Sequence, residues 1–133
     1  MLQLDHLILP VTDRNKSIEF YERIVGLKYE GDRDPFSTMR VTPDFVLQLA
    51  PWGTKGGEHL AFSVTRAEFD DALRRIRESG VEYGDSFQTV GNMRAPGDAD
   101  GARGKSKSVY LFDPSRHLIE ITCYEADGMA TRA

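Results

Sequence analysis

His6 stands in the octet Asp5-His6-Leu7-Ile8-Leu9-Pro10-Val11-Thr12, and His59 in Glu58-His59-Leu60-Ala61-Phe62-Ser63-Val64-Thr65. Both octets read acidic, His, Leu, variable, apolar, variable, Val, Thr. A second pair of matching segments lies further along: Leu47-Gln48-Leu49 and Ile119-Glu120-Ile121. Side chains alternate faces along a strand. His6, Gln48, His59 and Glu120 therefore each fall on the face opposite their strand's apolar row. Two imidazoles and a carboxylate brought to one place form a ligand set for Fe, Mn, Zn or Ni, with coordination positions left for a substrate. His117 is out of phase with Glu120 and is expected to be a turn or packing residue.

The elements that must position these side chains follow from periodicity. Residues 2–11 alternate as a strand. Thr12-Asp13 offers an N-cap, Ile18, Tyr21, Ile24 and Val25 recur at helical spacing, and Gly26 stands where a helix ends. Three short strands are expected at about 27–33, 38–42 and 45–50. After a glycine-rich linker at 54–57 the pattern restarts. Residues 58–64 read as a strand, and Thr65 with Glu68 as a capping box. Phe69, Ala72, Leu73 and Ile76 form a core-facing stripe that Gly80 closes. A strand is expected at 81–88, then a long polar loop at 89–106. Two strands within 108–124 follow, joined by a turn at Asp113-Pro114-Ser115-Arg116.

The restart is an internal repeat. His59 follows His6 by 53 positions and Glu120 follows Gln48 by 72, and the loop at 89–106 absorbs the difference. The expected fold is α+β: two paired βαβββ modules forming a curved, partly open mixed-sheet barrel around a metal cleft. In each module the helix covers the apolar row, which leaves the His and Glu face to the cleft. The boundaries are a single domain over 1–126, with module 1 at about 2–51 and module 2 at about 58–124, and a tail at 127–133 that reads as disordered.

Composition narrows the class. The chain has 133 residues, a net charge of −4 and dispersed basic residues, which argues against a nucleic-acid binder. No apolar run approaches the ~18 residues of a membrane span, and the N-terminus lacks a signal pattern. The single cysteine, Cys123, falls on an apolar face and reads as a buried reduced thiol, which suits the cytoplasm.

The sequence resembles the vicinal oxygen chelate superfamily of glyoxalase I, extradiol dioxygenases, fosfomycin-resistance transferases and bleomycin-binding proteins. The resemblance rests on Asp5-His6-Leu7, Ser17-Ile18-Glu19-Phe20-Tyr21 with Gly26-Leu27, Glu58-His59-Leu60-Ala61-Phe62, and Tyr110-Leu111-Phe112-Asp113-Pro114 leading to His117-Leu118-Ile119-Glu120. It implies one divalent metal on His6, His59 and Glu120, a small oxygenated substrate chelated through adjacent oxygens, and a homodimer. Glu120 and Tyr110 are the expected catalytic residues. Gln48, Asn92, Arg94, Ser108 and Trp52 are the expected substrate-binding residues, with the loop at 89–106 a candidate lid and Met39 a further apolar wall. A glyoxalase-like lyase or isomerase is favoured. The alternatives are a ring-cleaving dioxygenase, a fosfomycin-type thiol transferase and a non-catalytic drug-binding protein. The chain departs from glyoxalase I at Gln48, where that enzyme usually has a glutamate that also acts as base; an amide cannot take that proton. The fosfomycin enzymes share Ser108 and Tyr110.

Overall fold

Proline, glycine and Asx punctuation breaks this chain into strands and helical segments, and the computed structural model describes residues 1–129 of it. Two compact units divide the chain: Met1–Gly56 with Asp113–Arg116, and Gly57–Phe112 with the chain from His117 onward.

In the first unit, β1 (His6–Pro10) leads through the Asp13 N-cap into α1 (Arg14–Glu19). The Asp13 carboxylate accepts the Lys16 backbone N–H at 2.9 Å. A π-helical turn, Phe20–Val25, continues the helix until Gly26 ends it at φ 95°, a left-handed conformation that costs glycine no Cβ clash. The wider turn shifts the buried stripe: Ser17, Phe20 and Tyr21 are buried, while Ile24 and Val25 are only half-buried. Strands β2 (Lys28–Arg33), β3 (Phe36–Thr42) and β4 (Phe45–Ala50) follow. The sheet order is β1-β4-β3-β2, with β1 parallel to β4 and the other pairs antiparallel. Leu9, Val11, Met39, Leu47 and Leu49 form its core row. Met39 is fully buried there and is no wall of an open site. The Tyr21 hydroxyl donates to Asp113 Oδ2 at 2.6 Å, and the Thr12 backbone N–H donates to Ser115 Oγ at 3.0 Å. Burial, then the Asp113 carboxylate, pushes the Tyr21 phenol far above its ordinary pKa.

The second unit repeats the plan. Strand β5 (His59–Ser63) leads into α2 (Arg66–Ser79), whose Thr65–Glu68 capping box forms in full and whose Phe69, Ala72, Leu73 and Ile76 are buried. Then come β6 (Tyr83–Gly84), β7 (Gly97–Gly101), β8 (Gly104–Phe112) and β9 (Leu118–Tyr124). The order is β5-β9-β8-β6, with β7 also pairing β8 and β5 parallel to β9. Helix α2 packs on β9, covering the Ile119, Ile121 and Cys123 row. The architecture is α+β with two mixed, open sheets. No helix among the described residues is long and apolar enough to cross a membrane.

Three sequence expectations change. The strand expected over 81–88 shrinks to Tyr83–Gly84, because the chain folds back on itself there. The Gly91 and Met93 N–H groups both donate to the Tyr83 carbonyl, and a Cβ on Gly84 would meet the Thr89 carbonyl oxygen at 2.2 Å. The loop expected at 89–106 contains a hairpin, β7 to β8, with Ala102-Arg103 at its tip. Opposite charges face each other across it, Asp98 beside Lys107 and Asp100 beside Lys105, and such cross-strand pairs favour the register. Lastly, the chain after Tyr124 forms a short helical turn, Glu125–Asp127. Met129 is buried and donates its N–H to the Tyr124 carbonyl at 3.2 Å. The remainder of the expected tail, 130–133, lies outside the described residues.

Candidate metal centre

Strand register fixes which polar side chains are neighbours. In the first unit His6 pairs with Val46 and Ile8 with Gln48. In the second, His59 pairs with Leu118 and Ala61 with Glu120. Moving β1 by 53 positions and β4 by 72 converts the first register into the second. The sequence repeat is thus a repeat of hydrogen-bonded pairing, and side chains paired across neighbouring strands share a face.

On the second unit's face, His59 Nε2 lies 2.9 Å from Glu120 Oε1. The other carboxylate oxygen, Oε2, is reached by Ser108 Oγ at 2.8 Å and Tyr110 Oη at 3.2 Å. Ser108 also lies 2.7 Å from Thr122 Oγ1. Strand pairing builds this cluster directly, since Tyr110 faces Glu120 and Ser108 faces Thr122 across β8 and β9. Glu120 is 8% exposed and Ser108 fully buried, whereas the His59 side chain is 48% exposed. The carboxylate is therefore held from beneath by hydroxyls, with its imidazole neighbour open to solvent. Burial, then the Glu120 carboxylate, raises the Tyr110 phenol above its ordinary value, so it keeps the proton it donates.

The donor chemistry fits a divalent cation. Two ligand atoms each about 2.1 Å from one ion and at right angles are about 3.0 Å apart, close to the observed separation of Nε2 and Oε1. A neutral imidazole nitrogen and a carboxylate oxygen are both common ligands for Zn, Fe, Mn and Ni.

The other sequence-derived residues fall as follows. His6 belongs to the first unit, where its Nδ1 bonds Asp5 Oδ2 at 2.7 Å and its side chain is 48% exposed. A carboxylate on Nδ1 fixes the tautomer that leaves Nε2 as the free lone pair, the usual arrangement behind a metal-binding imidazole. Among the described residues of the single chain, no three His, Cys, Asp or Glu side chains gather as a metal site. Gln48 is half-buried, between Ile8 and Thr38 of the flanking strands. Trp52 is exposed and meets Phe36 edge to face, ring centroids 5.7 Å apart.

Asn92 is engaged within its own turn, donating to Asp85 Oδ1 at 2.8 Å and accepting the Arg94 N–H at 2.9 Å. Arg94 is exposed. Arg103 lies over the Tyr124 ring at 4.1 Å and pairs with Asp127 at 3.1 Å. His117 is buried and accepts the Glu58 N–H on Nδ1 at 3.2 Å. Sequence reasoning missed Thr122 as a member of the cluster; its place two residues after Glu120 on the same strand was the available signal. Cys123 is buried on the opposite face, and burial raises its thiol pKa.

These sheets and this pairing define a known class. The chain belongs to the Glyoxalase/Bleomycin resistance protein/Dioxygenase superfamily, whose description matches residues 3–121. It is 27% identical over 131 residues to the virulence protein STM3117 of Salmonella typhimurium, covering 92% of this chain and 84% of that one. It is 27% identical over 129 residues to the fosfomycin resistance protein FosX of Listeria innocua, covering 89% and 86%. Among solved structures, the oxidase ChaP-H2 superimposes with a TM-score of 0.78 at 28% identity, over 96% of this chain and 98% of that one.

Proposed function

We propose that the protein is a divalent-metal-dependent enzyme that binds a small oxygenated substrate at His6, His59 and Glu120, and that it works as a homodimer. The observation that carries this reading is the Glu120 carboxylate, anchored through Oε2 by two hydroxyls while Oε1 and His59 Nε2 stand 2.9 Å apart. A divalent ion there would act as a Lewis acid on the substrate oxygens it holds. In this reading His59 and Glu120 of one chain are joined by His6 of a second copy. The uncovered apolar side chains along and before β1, Leu2, Leu4, Leu7 and Ile8, support that pairing. The single cysteine, buried and unpaired, suits a reducing compartment such as the cytoplasm.

The glyoxalase-like lyase or isomerase favoured by the sequence is the weaker reaction class. Residue 48 is an amide, and the one carboxylate at the site already accepts two hydroxyl donors. Oxidation of a chelated substrate is the better-supported reading, given the likeness to the oxidase ChaP-H2 over nearly the full length. Addition to an electrophile in the manner of the fosfomycin proteins is a second reading, favoured by Ser108 and Tyr110. Metal analysis of the purified protein, then oxygen consumption with aromatic diols and thiol consumption with fosfomycin after loading Mn, Fe, Ni or Zn, tests both. A protein that takes up none of these ions excludes the enzyme reading.

A further inference from the structure

We propose that Ser108 and Tyr110 are positioning residues for Glu120: their two O–H groups occupy Oε2 and leave Oε1 as the only carboxylate oxygen offered to a metal. This rests on the metal reading above and adds to it how many ligand atoms Glu120 supplies.

Proton inventory supports it. An ionised carboxylate only accepts hydrogen bonds, and each hydroxyl has one proton to give. The Ser108 proton is shared between Glu120 Oε2 at 2.8 Å and Thr122 Oγ1 at 2.7 Å, while Thr122 donates its own to the Lys107 carbonyl at 3.4 Å. Tyr110 spends its proton on the same oxygen at 3.2 Å. Oε2 then carries two donors, and both come from β8, directly across from β9. Neither hydroxyl is free to rotate toward a ligand, because Ser108 is fully buried and Tyr110 is 7% exposed. A carboxylate without such anchors binds a cation through one or both oxygens. With Oε2 held, Glu120 takes one coordination position and leaves the others for substrate.

The test is Mn²⁺ titration of wild type, Tyr110→Phe, Ser108→Ala and Ser108→Thr by calorimetry, with the electron paramagnetic resonance spectrum of the bound ion and a thermal melt for each. Outer hydroxyls of this kind contribute about 10–100-fold to metal affinity. Tyr110→Phe and Ser108→Ala are each expected to fall by that factor and to change the Mn²⁺ spectrum as Oε2 is released. Ser108→Thr, which keeps the hydroxyl, is expected to retain the wild-type spectrum. Tyr110→Phe preserves the ring and its packing, so it decides the matter if Ser108→Ala fails to fold. Unchanged affinity and spectrum in Tyr110→Phe, with Mn²⁺ still bound by wild type, overturns the positioning role and leaves the metal reading standing. No Mn²⁺ binding by wild type overturns both.

Discussion

A strand histidine and a strand glutamate carry chemistry only if their neighbours leave the right atoms free, and here three histidines separate on that criterion. His6 has its Nδ1 on Asp5, and His59 has its Nε2 toward Glu120. His117 is buried with its Nδ1 lone pair used by the Glu58 N–H. His59→Ala and Glu120→Gln are therefore expected to abolish Mn²⁺ binding in calorimetry. His117→Ala is expected to keep it while losing about 0.5–1.5 kcal/mol of stability with the part-buried Glu58 N–H hydrogen bond, read as a lower melting temperature. Equal metal loss in His117→Ala would remove the face assignment. Gln48 is the repeat partner of Glu120, half-buried beside Ile8 and Thr38. Gln48→Glu adds a charged oxygen at that position, and tighter Mn²⁺ binding is the expected outcome, with hemithioacetal turnover appearing as the base is restored. An unaltered dissociation constant would place residue 48 away from the metal.

At the scale of elements, much was legible because strong local signals agreed with tertiary packing. The Thr65–Glu68 box, the Phe69/Ala72/Leu73/Ile76 stripe and the Gly80 stop all lie as the sequence indicates. So do the alternating rows of β4 and β9, and with them the approach of His59 to Glu120. What escaped was set by non-local geometry or by polar patterning. The π-helical turn at Phe20–Val25 has no composition signature. The β7–β8 hairpin is built from Gly, Asp, Lys and Ser, whose period-2 charge pattern looks like a loop when hydrophobicity alone is followed. Ser108, Tyr110 and Glu120 were each expected at the site, but the meeting of both hydroxyls on Glu120 Oε2 was not, because register, not spacing, sets Tyr110 opposite Glu120. The Asp113–Arg116 turn depends on a helical residue as well. Tyr21 donates to Asp113 at 2.6 Å within the first unit, and removing that hydroxyl leaves a buried carboxylate short of a donor. Tyr21→Phe is expected to cost about 1–3 kcal/mol in urea unfolding. The folded state holds the phenol proton more tightly than the unfolded chain. The wild-type advantage is therefore complete below about pH 10, the ordinary phenol value, and declines as pH rises above it. An advantage of wild type that grows above pH 10 would contradict the assigned donor.

At the scale of the whole molecule, the proposed ligands fall in different units, with His6 in the first and His59 and Glu120 in the second. If a second copy supplies His6, each dimer has two equivalent sites, and the isologous arrangement makes every chain give His6 to one and the His59–Glu120 pair to the other. Mutations in different ligands then complement each other. A His6→Ala chain retains an intact His59–Glu120 pair, and a Glu120→Ala chain retains an intact His6. Either variant alone has two broken sites per dimer. A mixed dimer has one site broken on both sides and one wholly intact, because the intact His6 meets the intact pair. Co-expression of the two variants with different affinity tags, followed by tandem purification of the mixed species, is expected to restore one Mn²⁺ per dimer, with sedimentation at twice the single-chain mass. If the three ligands of a site come from one chain, the mixed species binds none, since every chain in it lacks a ligand. Sedimentation of wild type as a single chain at tens of micromolar would defeat the shared site directly. Leu4→Asp and Leu7→Asp provide the converse test: charge on the uncovered apolar stretch around β1 is expected to dissociate the dimer and to release the metal with it, although neither residue is a ligand.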